Sequence, residues 1–179
     1  MEAPVDLNRF VLTMTESAYT QVMAACEGLT DEQFFSQPTT DSNPIAWLVW
    51  HMGRARDVIT SDISGEDQVW VSGGWADKFG MDAEDIGIGD SPEKVAAFHA
   101  ERFLVMAYFN DAHGATTRRL SMISTEQFDY LVVYALGDER PVWTALVGMC
   151  GDSSQHTGQI AYLRGMFTGV GWRQRAGWN

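Results

Sequence analysis

Along the stretch from Val142 to Phe167, apolar residues recur at Val142, Ala145, Met149, Ile160, Leu163 and Phe167, with Asp152 and His156 in the same register of threes and fours. That period is helical, because side chains three and four apart share one face of an α-helix. A helix from about Val142 to Thr168 can bury such a stripe only against other elements, which points to helix-on-helix packing. Two ionisable residues stand where the pattern requires core.

The same period appears upstream. Leu7, Phe10, Val11, Met14, Ala18, Val22, Cys26 and Leu29 mark a first helix from Val5 to Leu29. Thr30 and Gln33 have the form of a capping box, which predicts a short helical turn through Phe34 and Phe35 before a loop at Pro38. A second long helix is expected from Asn43 as its cap and Pro44 as its first residue to about Ser61. Its apolar positions, Leu48, Met52, Ala55 and Ile59 among them, cover more than one face, so it should be central. Ser91-Pro92-Glu93 opens a third long helix running to about Leu120.

Between Gly65 and Asp90 lie six glycines with Trp70, Trp75 and Phe79. This composition is too glycine-rich for a sustained helix, and its aromatics predict a packed loop serving as a lid or contact surface. Phe128 to Val142 has strand-like content and a turn signal at Gly137-Asp138-Glu139, which predicts a short hairpin. After Thr168, the glycines with Trp172 and Trp178 read as a tail. With no repeat or linker, residues 1–179 read as one domain, its bundle about 5–168 and its tail 169–179.

Charge narrows the partners. With 12 Lys+Arg against 24 Asp+Glu, the net charge is −12, which opposes nucleic acid and anionic membranes, since both recruit clustered cations. No signal peptide or spanning segment is expected, and Cys26 and Cys150, far apart and without metal or redox spacing, read as buried thiols of a cytoplasmic protein. Most of the nine Met and seven Trp fall at core spacing.

A buried carboxylate needs a cation, a hydrogen-bond network or a metal. Asp152 and His156, at i and i+4, project one turn apart from one face, as two ligands of a single ion would. His51 shares the inward row of Leu48 and Ala55 on the second helix and offers a third. Two imidazoles and a carboxylate suit Zn²⁺, Ni²⁺ or Fe²⁺ with a position left open. The spacing equally fits an ordinary Asp152–His156 pair. Arg54 and Asp57 read as ion-pairing residues, although Arg54, one turn from His51, could face a substrate acid. His99 and His113 read as structural or surface residues. Gly87-Ile-Gly89 is a weak nucleotide-loop match in the wrong context, and no serine-hydrolase or phosphate-loop motif is present.

Three segments together, Asn43-Pro-Ile-Ala-Trp-Leu-Val-Trp-His51-Met-Gly-Arg54, Gly74-Trp75 to Phe79-Gly80, and Asp152-Ser-Ser-Gln-His156 to Arg164-Gly165, resemble the DinB-like superfamily, near its actinobacterial mycothiol-dependent branch. The resemblance implies an all-α, up-down-down-up four-helix bundle with a long loop between its second and third helices. It implies a divalent ion held by His51, Asp152 and His156, where Asp152 replaces a histidine usual in the family. Gln155 and Gln159 become candidates to orient the ligands, and Trp47 with Arg54 to line a substrate pocket. It further implies metal-dependent thiol S-transferase or isomerase chemistry on a small-molecule thiol, mycothiol among the candidates, and an electrophile, in a homodimer. Two other readings accompany it: a non-enzymatic metal- or ligand-binding stress-response module, and a non-haem iron oxygenase.

Overall fold

The computed structural model describes residues 6–133 and 137–169. Four long helices dominate: α1 (Leu7–Cys26), α3 (Ile45–Ser64), α7 (Arg102–Ser121) and α8 (Val142–Thr168). The short helices between them are α2 (Asp31–Phe35), α4 (Val69–Ser72), α5 (Trp75–Phe79) and α6 (Pro92–Ala96). A 3-10 turn (Thr125–Asp129) and an antiparallel pair, β1 (Leu131–Val133) and β2 (Glu139–Pro141), lead into α8, with Val132 opposite Arg140. No helix among the described residues is long and apolar enough to cross a membrane.

α3 packs against α7 and α8, and α1 closes the ring by packing against the same two helices. One apolar cluster joins Val22 and Cys26 of α1, Leu48 and Met52 of α3, Val105 and Phe109 of α7, and Ile160 and Leu163 of α8. A second joins Val11, Ile59, Leu120 and Met149. The early part of α1 thus lies beside the late parts of α3 and α7 and the early part of α8, so α1 and α8 run one way and α3 and α7 the other. Between the clusters the core turns polar on all four helices, at Thr15, Arg56, Thr116, Ser153 and Thr157, all buried.

Local chemistry explains most boundaries. Thr30 and Gln33 form the reciprocal capping box at α2. Ser91 caps α6 and Pro92 is its first residue. At α3 the cap is Pro44 rather than Asn43, with no side-chain cap bond. The expected third long helix is two helices. α6 stops at Ala96, Phe98 packs against Trp50 at 5.4 Å and Phe79 at 6.4 Å, and α7 begins at Arg102. Arg102 donates to the carbonyl of Cys26, the last residue of α1, and to that of Leu29 just beyond it. Aromatic burial and capture of those carbonyls outweigh the continuous helical propensity of 92–120.

The 65–90 segment is packed, as its aromatics require: Trp70, Trp75 and Phe79 are buried. Asp57 on α3 anchors it by accepting from the backbone N–H groups of Val69 and Trp70 at 3.0 and 2.8 Å, capping the first turn of α4. Arg119 of α7 bonds the same carboxylate at 2.9 Å. The predicted start at Val5 and the tail beyond Gly169 lie outside the described residues.

Candidate metal centre

His51 on α3 and Asp152 and His156 on α8 converge at the level where the core turns polar. Asp152 Oδ1 lies 3.1 Å from His156 Nε2 and 3.6 Å from His51 Nε2, and one donor atom from each of the three residues falls within 4.8 Å of the others. The two imidazoles meet edge to face, centroids 5.0 Å apart. His51 is buried, while Asp152 and His156 are half-buried, which leaves one side of the trio toward solvent.

Each histidine is held by its other nitrogen. His51 Nδ1–H donates to the Ile86 carbonyl at 2.6 Å, and His156 Nδ1–H to Gln159 Oε1 at 2.6 Å. Both bonds aim Nε2 at Asp152 and fix the tautomer in which a neutral imidazole offers its lone pair there. Trp47 stacks on His51 with centroids 4.9 Å apart and planes 8° apart, and its Nε1 donates to Asp90 at 3.3 Å. Gly87 has φ +78, and a Cβ there would lie 3.0 Å from His51 Nδ1 and 2.9 Å from the rings of Trp47 and Trp50.

Burial acts to raise the Asp152 pKa, but the adjacent His156 and His51 imidazoles outweigh it and hold the carboxyl well below its usual range. Burial acts to lower that of His156, yet the Asp152 carboxylate and Gln159 lift it above the ordinary histidine value. Asp152 Oδ2 is buried with no hydrogen-bond partner among the described residues. Two oriented imidazoles, a carboxylate and an orphaned carboxylate oxygen form a donor set that a divalent cation fits.

Gln159, which holds His156, also lines a cleft of about 420 Å³ with Asn43, Leu48, Tyr162 and Met166. Gln155 is exposed and bonds neither imidazole. Arg54 does not face a substrate pocket. It is fully buried and donates to the carbonyls of Ala83 and Asp85 and to Gln68, with Asp57 at 3.8 Å, because a buried guanidinium must spend its donors on fixed oxygens. Its work is to tie down the segment that carries Ile86. His113 binds Glu16 at 3.0 Å and stacks on Tyr19, and His99 is exposed. Ile86 and Gly87 were not singled out as site residues in the sequence. Their signal was the close glycine pair Gly87-Ile-Gly89, which marks a loop in close contact with its neighbours rather than a phosphate site.

The fold and this trio define a helical protein with a metal-competent centre on two facing helices. The family model of the DinB superfamily matches residues 14–160, and the chain belongs to that superfamily. It is similar in structure to the conserved protein of locus from Enterococcus faecalis, with a TM-score of 0.81 and 22% identity over 93% of this chain and 99% of that one. At that identity the shared property is the fold. No curated protein matches the chain significantly in sequence.

Proposed function

We propose that the protein is a divalent-metal-dependent thiol S-transferase or isomerase, acting on a small-molecule thiol of the mycothiol type and an electrophilic partner. The observation that carries this reading is the convergence of three donors within 4.8 Å, both histidines already oriented from behind. A divalent ion at such a site would lower the pKa of a thiol, supplying a thiolate at neutral pH. His51 and His156 would hold it through Nε2 and Asp152 through its carboxylate. Trp47 fixes the plane of the His51 ring, and the 84–90 segment covers that ring from the Nδ1 side. The cleft beside Gln159 offers apolar walls at Leu48, Tyr162 and Met166, amide groups at Asn43 and Gln159 and the carboxylate of Asp41, and no Lys or Arg lines it. It therefore suits a substrate without negative charge.

The test is metal content by mass spectrometry on untagged protein beside His51→Ala and His156→Ala, followed by thiol-transfer assays on the loaded protein. Near-stoichiometric metal lost in both variants, with thiol consumption dependent on it, is the expected result. Metal retained in both variants sinks the site, and bound metal without thiol transfer sinks the enzyme reading. One observation favours a second reading, a non-enzymatic binding module: Asp152 and His156 already pair directly at 3.1 Å, so a protonated His156 offsets the carboxylate charge without a metal. As part of the same proposal, the working unit is a homodimer, joined through the uncharged seam of α1 and α8.

A further inference from the structure

Four arginines are buried among the described residues, and one of them differs from the rest. Arg54 and Arg119 spend their donors on carboxylates and carbonyls, and Arg164 reaches the carbonyls of Ala25 and Glu27. Arg56, 1% exposed, uses only its Nε, on Ser153 Oγ at 3.2 Å. Both terminal nitrogens, Nη1 and Nη2, are buried with no partner among the described residues.

We propose that Arg56 is the charged element of an internal binding site for a small monovalent anion of halide size, at the polar waist of the bundle. A buried cation without a counter-charge is costly by several kcal/mol, so a folded chain that retains one needs a compensating group. Burial pushes the guanidinium down only to about 10, so it is charged at neutral pH. Three groups have fields that reach it: Cys150, whose pKa burial raises so that the thiol stays neutral, and two acids, of which Glu16 binds His113 and Asp152 faces His51 and His156 through Oδ1. Neither acid lies within ion-pair distance of Arg56.

The surroundings supply donors. Four N–H groups of the two terminal nitrogens are free, in the fork that grips an anion from two directions. On adjoining turns, Thr116 of α7 and Thr157 of α8 carry buried hydroxyls with no partner among the described residues. The Phe109 ring lies 5.4 Å from the guanidinium carbon and closes one side. A single compensating charge follows from the single cation. Arg56, Phe109, Thr116, Ser153 and Thr157 are all buried, so an occupant is enclosed by protein, and its small size is part of the proposal.

The experiment is thermal unfolding of the full chain in chelator, at constant ionic strength, with chloride or bromide replacing gluconate, so that halide on a bound metal cannot contribute. A rise in Tm of about 5 °C over a hundredfold range of halide above its Kd is expected. Arg56→Met abolishes it, and Ser153→Ala, which keeps the guanidinium, retains most of it. Should Arg56→Met fail to fold, crystals grown in bromide decide the matter: an anomalous peak against Nη1 and Nη2 supports the site. The inference is overturned by a Tm independent of halide, by a halide effect that survives Arg56→Met, or by a water bridging Arg56 to Asp152 Oδ2 or His113 Nδ1 with no anomalous signal. None of these outcomes depends on whether the His51–Asp152–His156 trio holds a metal.

Discussion

The backbone carbonyl of Ile86 accepts the Nδ1–H of His51 at 2.6 Å, so a loop residue 35 positions downstream decides which nitrogen of that histidine faces Asp152. The bond is possible only because Gly87, next in the chain, lets the backbone pass against the His51, Trp47 and Trp50 rings. Gly87→Ala would bring a Cβ within 3.0 Å of His51 Nδ1 at a positive φ, forcing the loop away. The expected outcome is metal affinity weaker by about 10-fold, with helix content kept. Titration calorimetry with Zn²⁺ beside circular dichroism checks it.

Gln159 and Gln155 lie on the same helix one turn apart and separate cleanly. Gln159→Leu removes the acceptor that holds His156 Nδ1–H and should weaken metal binding by about 10-fold. Gln155→Ala, at an exposed position without a bond to either imidazole, should leave it unchanged. Equal effects from both substitutions would mean that the Gln159 contact does not orient the ligand.

The lifted pKa of His156 sets two pH dependences of opposite sign. In the metal-free protein, a histidine held above its ordinary 6.5 by Asp152 contributes stability that is full below 6.5 and lost as pH rises through the raised value. Metal binding must displace that same proton, so affinity falls as pH drops below the raised pKa, by about tenfold per unit in the limit of one proton. Urea unfolding of the metal-free protein and metal titrations across pH 5.5 to 8.5 (about one unit beyond the ordinary histidine range on the alkaline side) should therefore show opposite trends. In Asp152→Asn the opposition should vanish.

How much of this was legible beforehand depends on the range of the forces involved. Val142–Thr168 was readable because helical periodicity is local, and the same stripe exposed Asp152 and His156 as exceptions. His51 was reachable because it shares an inward row with Leu48. The break between α6 and α7 was not, since it depends on Phe98 meeting Trp50 and Phe79 from distant segments. Nor was the fate of Arg54: one turn from His51 along α3, it is claimed by Ala83, Asp85 and Gln68, which only the folded 65–90 segment brings near.

Asp57 tests how that segment is held. Its carboxylate joins Arg119, Arg54 and two backbone N–H groups with no exposure to solvent. Asp57→Ala leaves two buried guanidinium groups short of a counter-charge and uncaps α4. A loss of about 3–5 kcal/mol in denaturant unfolding is expected, as for breaking a buried pair. Because Arg54 also ties down the 83–85 backbone, metal affinity should fall with it. A loss below about 1 kcal/mol would be that of a surface pair and would remove Asp57 as the anchor.

The seam of α1 and α8 tests the assembly. In a chain of net charge −12, every exposed residue of the 27-residue α8 is uncharged. Leu7, Phe10, Trp143 and Val147 stand 45–63% exposed along the seam and line an apolar groove of about 270 Å³. Two acidic copies repel across any charged face, so self-association is least opposed at this apolar surface. Light scattering on the eluting wild-type chain should give twice the 19.9 kDa monomer mass. Val147→Glu, at an exposed position that leaves the core untouched, should give a folded monomer. A wild-type monomer at all concentrations would reject the second copy, and a monomer that begins to associate once residues 170–179 are deleted would assign the seam to that segment instead.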